Sequence, residues 1–191
     1  MRKALFLDRD GVINVDRDFV HRVEDFVWQD GIFELIRRAR VAGFMPVVVT
    51  NQSGIGRGYY GEHDFEALTR WMCDELARHG AAVERVYHCP YHPEAVLPNL
   101  RAEHSWRKPK PGMFLAARDD LGLDLPASVM IGDRWSDAEA AHAAGVGTIL
   151  IVGTAHPPVP AGLPPLERPA TIRDATAWLA AHYFAGDPAG D

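Results

Sequence analysis

The sequence predicts an α/β protein, a doubly wound parallel sheet in three layers. Two observations carry that prediction. Short apolar, β-branched runs alternate with stretches of helical periodicity, the arrangement that places parallel strands in the middle and helices on both faces. The residues with chemical potential, Asp8/Asp10, Thr50/Asn51, Arg107/Lys108/Lys110 and Asp133/Asp137, fall just after those runs or in the loop before a helix. All strand C-termini of a parallel sheet point the same way, so these clusters converge on one edge.

The first run, Ala4 to Leu7, stops abruptly at Asp8-Arg9-Asp10-Gly11. Four apolar residues ending in two carboxylates and a glycine read as a buried strand that delivers its acids to the rim of the sheet. Asp before Gly is also ordinary turn chemistry, so this stretch acquires meaning only from its company. Asn14 to Asp30 is a long, charged and aromatic connection, and loops of that length in a compact domain are usually functional. Gly31 to Ala42 carries a helical stripe of Ile32, Phe33, Leu35, Ile36 and Ala39, with Gly43 as its terminator.

Met45 to Thr50 is the second strand, ending in Thr50-Asn51-Gln52-Ser53. Gly54 to Gly61 reads as a glycine-rich, flexible rim. Glu62 to His79 is helical through Phe65, Leu68, Trp71, Met72 and Leu76, and Gly80 closes it. Glu84 to Cys89 forms a third strand, Pro90 to Pro111 is irregular and cation-rich, and Gly112 to Leu121 is helical again. Ser128 to Ile131 is a fourth strand running into Gly132-Asp133-Arg134-Trp135-Ser136-Asp137, followed by a helix from Asp137 to Ala144 and a fifth strand from Gly147 to Val152. Six of the fourteen prolines lie between Gly153 and Pro169, which makes that stretch extended surface chain. Thr171 to Phe184 is a terminal helix. Residues 1–184 thus read as one domain, with 185–191 as a frayed tail.

At 191 residues the chain is long enough for a full core. Its net charge of -6 argues against a general nucleic-acid binder, which would present a basic face. No run reaches membrane-spanning length, and four apolar residues after Met1-Arg2-Lys3 are too few for a signal-peptide core. Two cysteines make no disulfide framework. The expectation is a cytoplasmic, monomeric protein acting on a small molecule, with neither nucleic acid nor membrane as partner.

Carboxylates brought together at one sheet edge repel one another unless a hard cation sits among them, and Mg²⁺ suits all-oxygen ligation. A carboxylate there can attack phosphorus and become an aspartyl-phosphate. Asp8 is the candidate nucleophile. Asp10 is the candidate acid and base, with its backbone carbonyl toward the metal. Thr50 and Lys108 are candidate donors to the transferring oxygens. Asp133 completes the metal site with Asp8 and Asp10, and Asp137 orients it from behind.

These motifs, Asp8-x-Asp10-Gly11-Val12, a strand-ending Thr50, a downstream basic cluster and Gly132-Asp133-x-x-x-Asp137, occur in the order seen in the haloacid dehalogenase-like (HAD-like) phosphatases, which the chain resembles. Phe6 to Asn14, Val47 to Gly58 and Arg107 to Met113 are similar in detail to the heptose bisphosphate 7-phosphatases, and the histidinol-phosphate phosphatases share much of the pattern. The resemblance spans Leu5 to about Val152. It implies a HAD-like Rossmannoid fold with a minimal cap made of loops, and a magnesium-dependent phosphatase of a heptose bisphosphate. Histidinol phosphate or another small phosphate ester is the alternative substrate, and a non-catalytic phosphosugar-binding protein the alternative of another class. By the same likeness Asp16, Arg17, Asp18, Phe19, Thr50, Asn51, Gln52, Ser53, Arg107, Lys108 and Arg134 contact substrate. Arg107 suits the phosphate that does not react.

Members of that family often hold a structural zinc by Cys-x-His and, further on, Cys-x-Cys. The matching positions here are Cys89-x-Tyr91 and His104-x-Trp106, and neither Tyr91 nor Trp106 is a zinc ligand. Cys89, His92 and His104 remain as residual ligand candidates, against a loop packed through Tyr91, Leu97, Leu100 and Trp106; structural zinc is not expected. Gly56-x-Gly58-x-x-Gly61 imitates a dinucleotide fingerprint, but it starts too far beyond its strand, and no acid ends the next strand at Cys89.

Overall fold

A computed structural model describes residues 2–184. Five parallel strands, β1 (Lys3–Leu7), β2 (Phe44–Asn51), β3 (Arg85–Cys89), β4 (Val129–Gly132) and β5 (Thr148–Ile151), form one sheet in the order β3-β2-β1-β4-β5. The expected three-layer α/β architecture is therefore present; residues 185–191, expected to fray, lie outside the described part.

The alternation of side chains along β1 splits the core. Leu5 and Leu7 join one apolar cluster with Val48, Ile131 and Leu150, while Ala4 and Phe6 face the other with Val47, Val49, Met130 and Ile149. The first face is covered by α1 (Ile32–Val41), α3 (Glu62–Arg78) and α6 (Ile172–His182), whose buried residues Leu35, Met72 and Leu179 belong to that cluster. The second lies under α4 (Gly112–Leu121) and α5 (Trp135–Ala144), through Phe114, Ala117, Ala138 and Ala141. Leu5, Phe6 and Leu7 are essentially inaccessible, and each contributes roughly 1.5–3 kcal/mol by its burial.

Three local readings need correction. The stretch after β2 is not wholly loop: Ser53–Gly56 forms a helical turn, α2. Its glycines are there for close packing. A Cβ at Gly54 would stand 2.2 Å from Cε1 of Tyr60, and one at Gly56 would stand 2.6 Å from the Pro90 carbonyl. The helix after β4 begins at Trp135, two residues before Asp137, because the Asp137 carboxylate accepts the free N–H of Arg134 and so closes the first turn. Leu97 is 40% exposed and lies outside the buried clusters, so its side chain does not anchor its loop.

Thr171 and Asp174 form a reciprocal cap at the start of α6. The Thr171 hydroxyl accepts the Asp174 N–H at 3.1 Å, and the Asp174 carboxylate accepts the Thr171 N–H at 3.1 Å. Thr171→Ala should cost about 1 kcal/mol, read as a melting temperature lower by roughly 2–4 °C with catalytic rate unaltered. Among the described residues, no helix is long and apolar enough to cross a membrane.

Candidate active site

The strand order reverses at β1, with β2 on one side and β4 on the other, and ligands of open α/β sheets settle outside the strand ends at such a point. Asp8 follows β1 and Asp133 follows β4. Their carboxylates, together with that of Asp137, bring three oxygens within 4.8 Å of one another. Gly11, at φ +90°, makes this possible: a Cβ there would stand 2.2 Å from an Asp133 oxygen. Gly132 likewise admits Asp137, whose Cβ lies 2.4 Å from where its own Cβ would be.

Lys108 enters this cluster from the loop before α4. Its Nζ lies 2.6 Å from Oδ1 of Asp137 and 3.1 Å from Oδ1 of Asp8, and donates to the Val49 carbonyl at 2.9 Å. Asn51 holds the lysine backbone in place, giving its side-chain N–H to the Lys108 carbonyl and accepting the Lys108 N–H, each at 3.1 Å. Burial opposes the lysine's charge, but the carboxylates of Asp137 and Asp8 outweigh it, so the ammonium loses its proton less readily than usual.

The acids respond in the opposite sense. Burial pushes the Asp8 carboxyl up to about 7, with Lys108 opposing and the charges of Asp137 and Asp10 adding. Burial, then Asp8 and Asp137, push Asp133 up to about 8 against Arg134 and Lys108. Oδ1 of Asp133 is buried without a hydrogen-bond partner. Mutually repelling carboxyls and an orphaned inward oxygen are what a site for a hard divalent cation presents before the cation joins it. Asp137 stands within the cluster, with one oxygen on Lys108 and the other accepting the N–H groups of Asp133 and Arg134, whereas the Asp10 carboxylate is turned elsewhere.

Asp10 is gripped by its neighbours. Arg9 Nε and NH2 reach both of its oxygens at 2.9–3.1 Å, Asn14 Nδ2 donates to Oδ1 at 3.0 Å, and Gln52 Nε2 donates to Oδ2 at 3.0 Å. Arg9 is only 1% exposed and also donates to the Val20 carbonyl at 2.7 Å, so it ties the acid to the loop after β1. Thr50, at the end of β2, is buried beside Gln52.

These side chains open into a cavity of about 500 Å³. Asp16, Asp18, Phe19, Ser53, Arg107 and Arg134 line it as expected, and the structure adds Arg57, Tyr60, Pro109 and Ser136. Arg17 does not line it and points to solvent. Asp16 takes up Arg134 in a 2.6 Å ion pair that bridges the loops after β1 and β4. Asp18 and Phe19 both have φ near +54°, and Phe19 packs on Tyr59 with ring centroids 4.5 Å apart. Two successive non-glycine residues in the left-handed region mark a loop held in place by its surroundings.

Among the described residues only Asp8, Asp133 and Asp137 gather three metal-ligand atoms, so Cys89, His92 and His104 do not form a common site. Each is engaged otherwise. The His104 ring is stacked on Tyr91 at 4.1 Å, and its Nδ1 accepts the Trp106 N–H. His92 accepts the Glu94 N–H and meets Arg57 NH2 at 2.9 Å. Cys89 is buried in the core.

A family model described as HAD-hydrolase-like matches residues 105–175. D-glycero-α-D-manno-heptose-1,7-bisphosphate 7-phosphatase of Burkholderia mallei is 53% identical over 150 residues, 78% of this chain and 79% of that protein. D-glycero-β-D-manno-heptose-1,7-bisphosphate 7-phosphatase of Escherichia coli O6:H1 is 48% identical over 157 residues, covering 82% and 83%. The crystal structure of the D,D-heptose 1,7-bisphosphate phosphatase of B. bronchiseptica, complexed with magnesium and phosphate, superposes with a TM-score of 0.80 at 28% identity, over 94% of this chain and 98% of that one. With the acids of β1 and β4, Thr50 and Lys108 assembled at the switch point, the chain belongs to the HAD-like phosphatases, within the family that contains these heptose bisphosphate phosphatases.

Proposed function

We propose that this phosphatase removes the 7-phosphate of D-glycero-D-manno-heptose 1,7-bisphosphate, depends on Mg²⁺, proceeds through an aspartyl-phosphate on Asp8, and serves the biosynthesis of nucleotide-activated heptose. The observation that carries this reading is the meeting of Asp8, Asp133 and Asp137 with Lys108 beneath a cavity that also presents three guanidiniums, Arg57, Arg107 and Arg134. A bisphosphate needs a cation-rich floor for the phosphate that reacts and a separate cationic wall for the one that does not.

With Asp137 behind them holding Lys108 and the Asp133 N–H, Asp8, Asp133 and the backbone of Asp10 would hold the magnesium ion. When bound, it neutralises charge on the phosphoryl oxygens. The rest falls to the chain. An oxygen of Asp8 bonds to phosphorus as the ester oxygen leaves. Lys108 and the Thr50 hydroxyl donate to the equatorial oxygens, where charge accumulates in the transition state. Asp10 protonates the departing alkoxide, then takes a proton from the water that hydrolyses the aspartyl-phosphate. Arg107 holds the second phosphate. Zinc has no part in this reading, which is supported by the Tyr91–His104 stack standing where family members often carry that metal.

The test is a panel of steady-state rates on both anomers of the heptose bisphosphate and on histidinol phosphate. Enzyme treated with chelator should be inactive and regain its full rate with Mg²⁺ alone. One heptose bisphosphate anomer should show the highest kcat/KM. A higher value for histidinol phosphate would overturn the substrate, and a requirement for added zinc would overturn the metal assignment.

A further inference from the structure

Proton donation by a carboxyl depends on where its oxygens point, and three side chains fix those of Asp10. The Arg9 guanidinium can only donate, and the amide nitrogen of Asn14 is turned to Asp10 because it also faces the Val15 carbonyl, an acceptor. The third, Gln52, carries an acceptor and a donor of nearly the same shape, so its effect on Asp10 depends on which end faces the acid. Tyr60 decides this. Its hydroxyl donates to Gln52 Oε1 at 2.5 Å, which leaves Nε2 to donate to Asp10 Oδ2 at 3.0 Å and to Thr50 Oγ1 at 2.9 Å. With the amide reversed, its carbonyl would oppose a carboxylate oxygen, and the Tyr60 hydroxyl would face a donor.

We infer that Tyr60, acting through Gln52, is a positioning residue that aims Asp10 at the leaving-group oxygen. The surroundings of Tyr60 suit that task. Gly54 leaves space for its ring, since a side chain there would collide with it, and the His21 ring stacks on it at 4.9 Å with an interplanar angle of 6°. Burial pushes the phenol up to about 12, so the hydroxyl keeps its proton and stays a donor. Gln52 is only 2% exposed and its amide is committed to Tyr60, Asp10 and Thr50, so a change at Tyr60 is passed through it to Asp10 and Thr50.

The inference rests on the proposed role of Asp10 as general acid. In that step the bond between an Asp8 oxygen and phosphorus forms, the ester P–O bond breaks, and the departing oxygen takes the proton of the Asp10 carboxyl, which is left as carboxylate. An alkoxide needs that proton. A nitrophenolate leaves as its anion and does not. Because kcat/KM covers events up to departure of the leaving group, it isolates this step from later hydrolysis of the aspartyl-phosphate.

The experiment measures kcat/KM of Tyr60→Phe and Gln52→Leu on the heptose bisphosphate and on p-nitrophenyl phosphate, with thermal melting as a check of folding. Each variant should lose roughly tenfold or more on the alkyl ester beyond what it loses on the aryl ester. Any disturbance of Thr50 is common to both substrates and cancels in that ratio. Equal losses on the two esters, or none, from whichever variant folds would overturn the inference. Turnover of the heptose bisphosphate by the unaltered enzyme tests the substrate separately, and the ratio can be taken on any unactivated phosphate ester that the enzyme hydrolyses.

Discussion

Asp8→Asn should abolish phosphatase turnover, by a factor on the order of a thousand or more, while the protein remains folded. An amide of the same shape cannot supply the anionic oxygen that bonds to phosphorus, and no other carboxylate can take its place. Asp137 is committed to Lys108 and to the N–H groups of Asp133 and Arg134, Asp133 follows the neighbouring strand β4 on the metal side of the cluster, and the oxygens of Asp10 are engaged by Arg9, Asn14 and Gln52. The fold should persist because Lys108 retains Asp137 at 2.6 Å and because an asparagine at this position removes a charge that burial disfavours. Kinetics with a phosphate-release assay and a melting curve within about 3 °C of the parent would bear this out. Activity above a few per cent of the parent would rule out the covalent route.

Lys108→Met should combine a comparable loss of rate with a loss of stability. The Lys108 side chain is 1% exposed and its ammonium stands between two carboxylates, so its removal leaves Asp8 and Asp137 buried and facing each other without a compensating charge. Breaking a buried pair from one side typically costs about 3–5 kcal/mol, here a fall in melting temperature on the order of 10 °C. The two substitutions therefore separate: both are inactive, but only the lysine variant melts early. A Lys108→Met protein as stable as its parent would mean that the acids shed their charge by protonation, and that the lysine serves chemistry alone.

The positions of strand ends were legible because each is a run of apolar residues cut off by a polar one. Parallel connectivity then brings Asp8, Thr50 and Asp133 to one rim with no further information. Arg9 was not legible. A charged residue between two acids reads as solvated, and its burial becomes visible only when the loop after β1 folds back to offer the Val20 carbonyl. Gln52 was among the expected contacts, but its meeting with Tyr60 was hidden for a similar reason. Eight residues separate them, and they meet only because α2 turns the chain through a glycine that makes room for the ring. Asp137 is the instructive intermediate. Its spacing from Asp133 placed it on the first helical turn, but whether it backs the site or faces into it depends on how closely Gly132 lets the helix approach. In the loop before α4 the substitution of ligand types was readable, whereas the stack of Tyr91 on His104 that occupies the space was not.

The central place of β1 has a further consequence. Hydrogen-bonded on both sides, by β2 and β4, the strand that ends at Asp8 can be released only when the whole sheet comes apart. The segment after β5 hangs from one margin of the sheet, and the segment after β3 hangs from the other except where Asn51, Asp8 and Asp137 hold Lys108. Heritable change in what the enzyme accepts can therefore accumulate at those margins, while the groups that make and break the phosphorus bond stay as rigid as the protein itself.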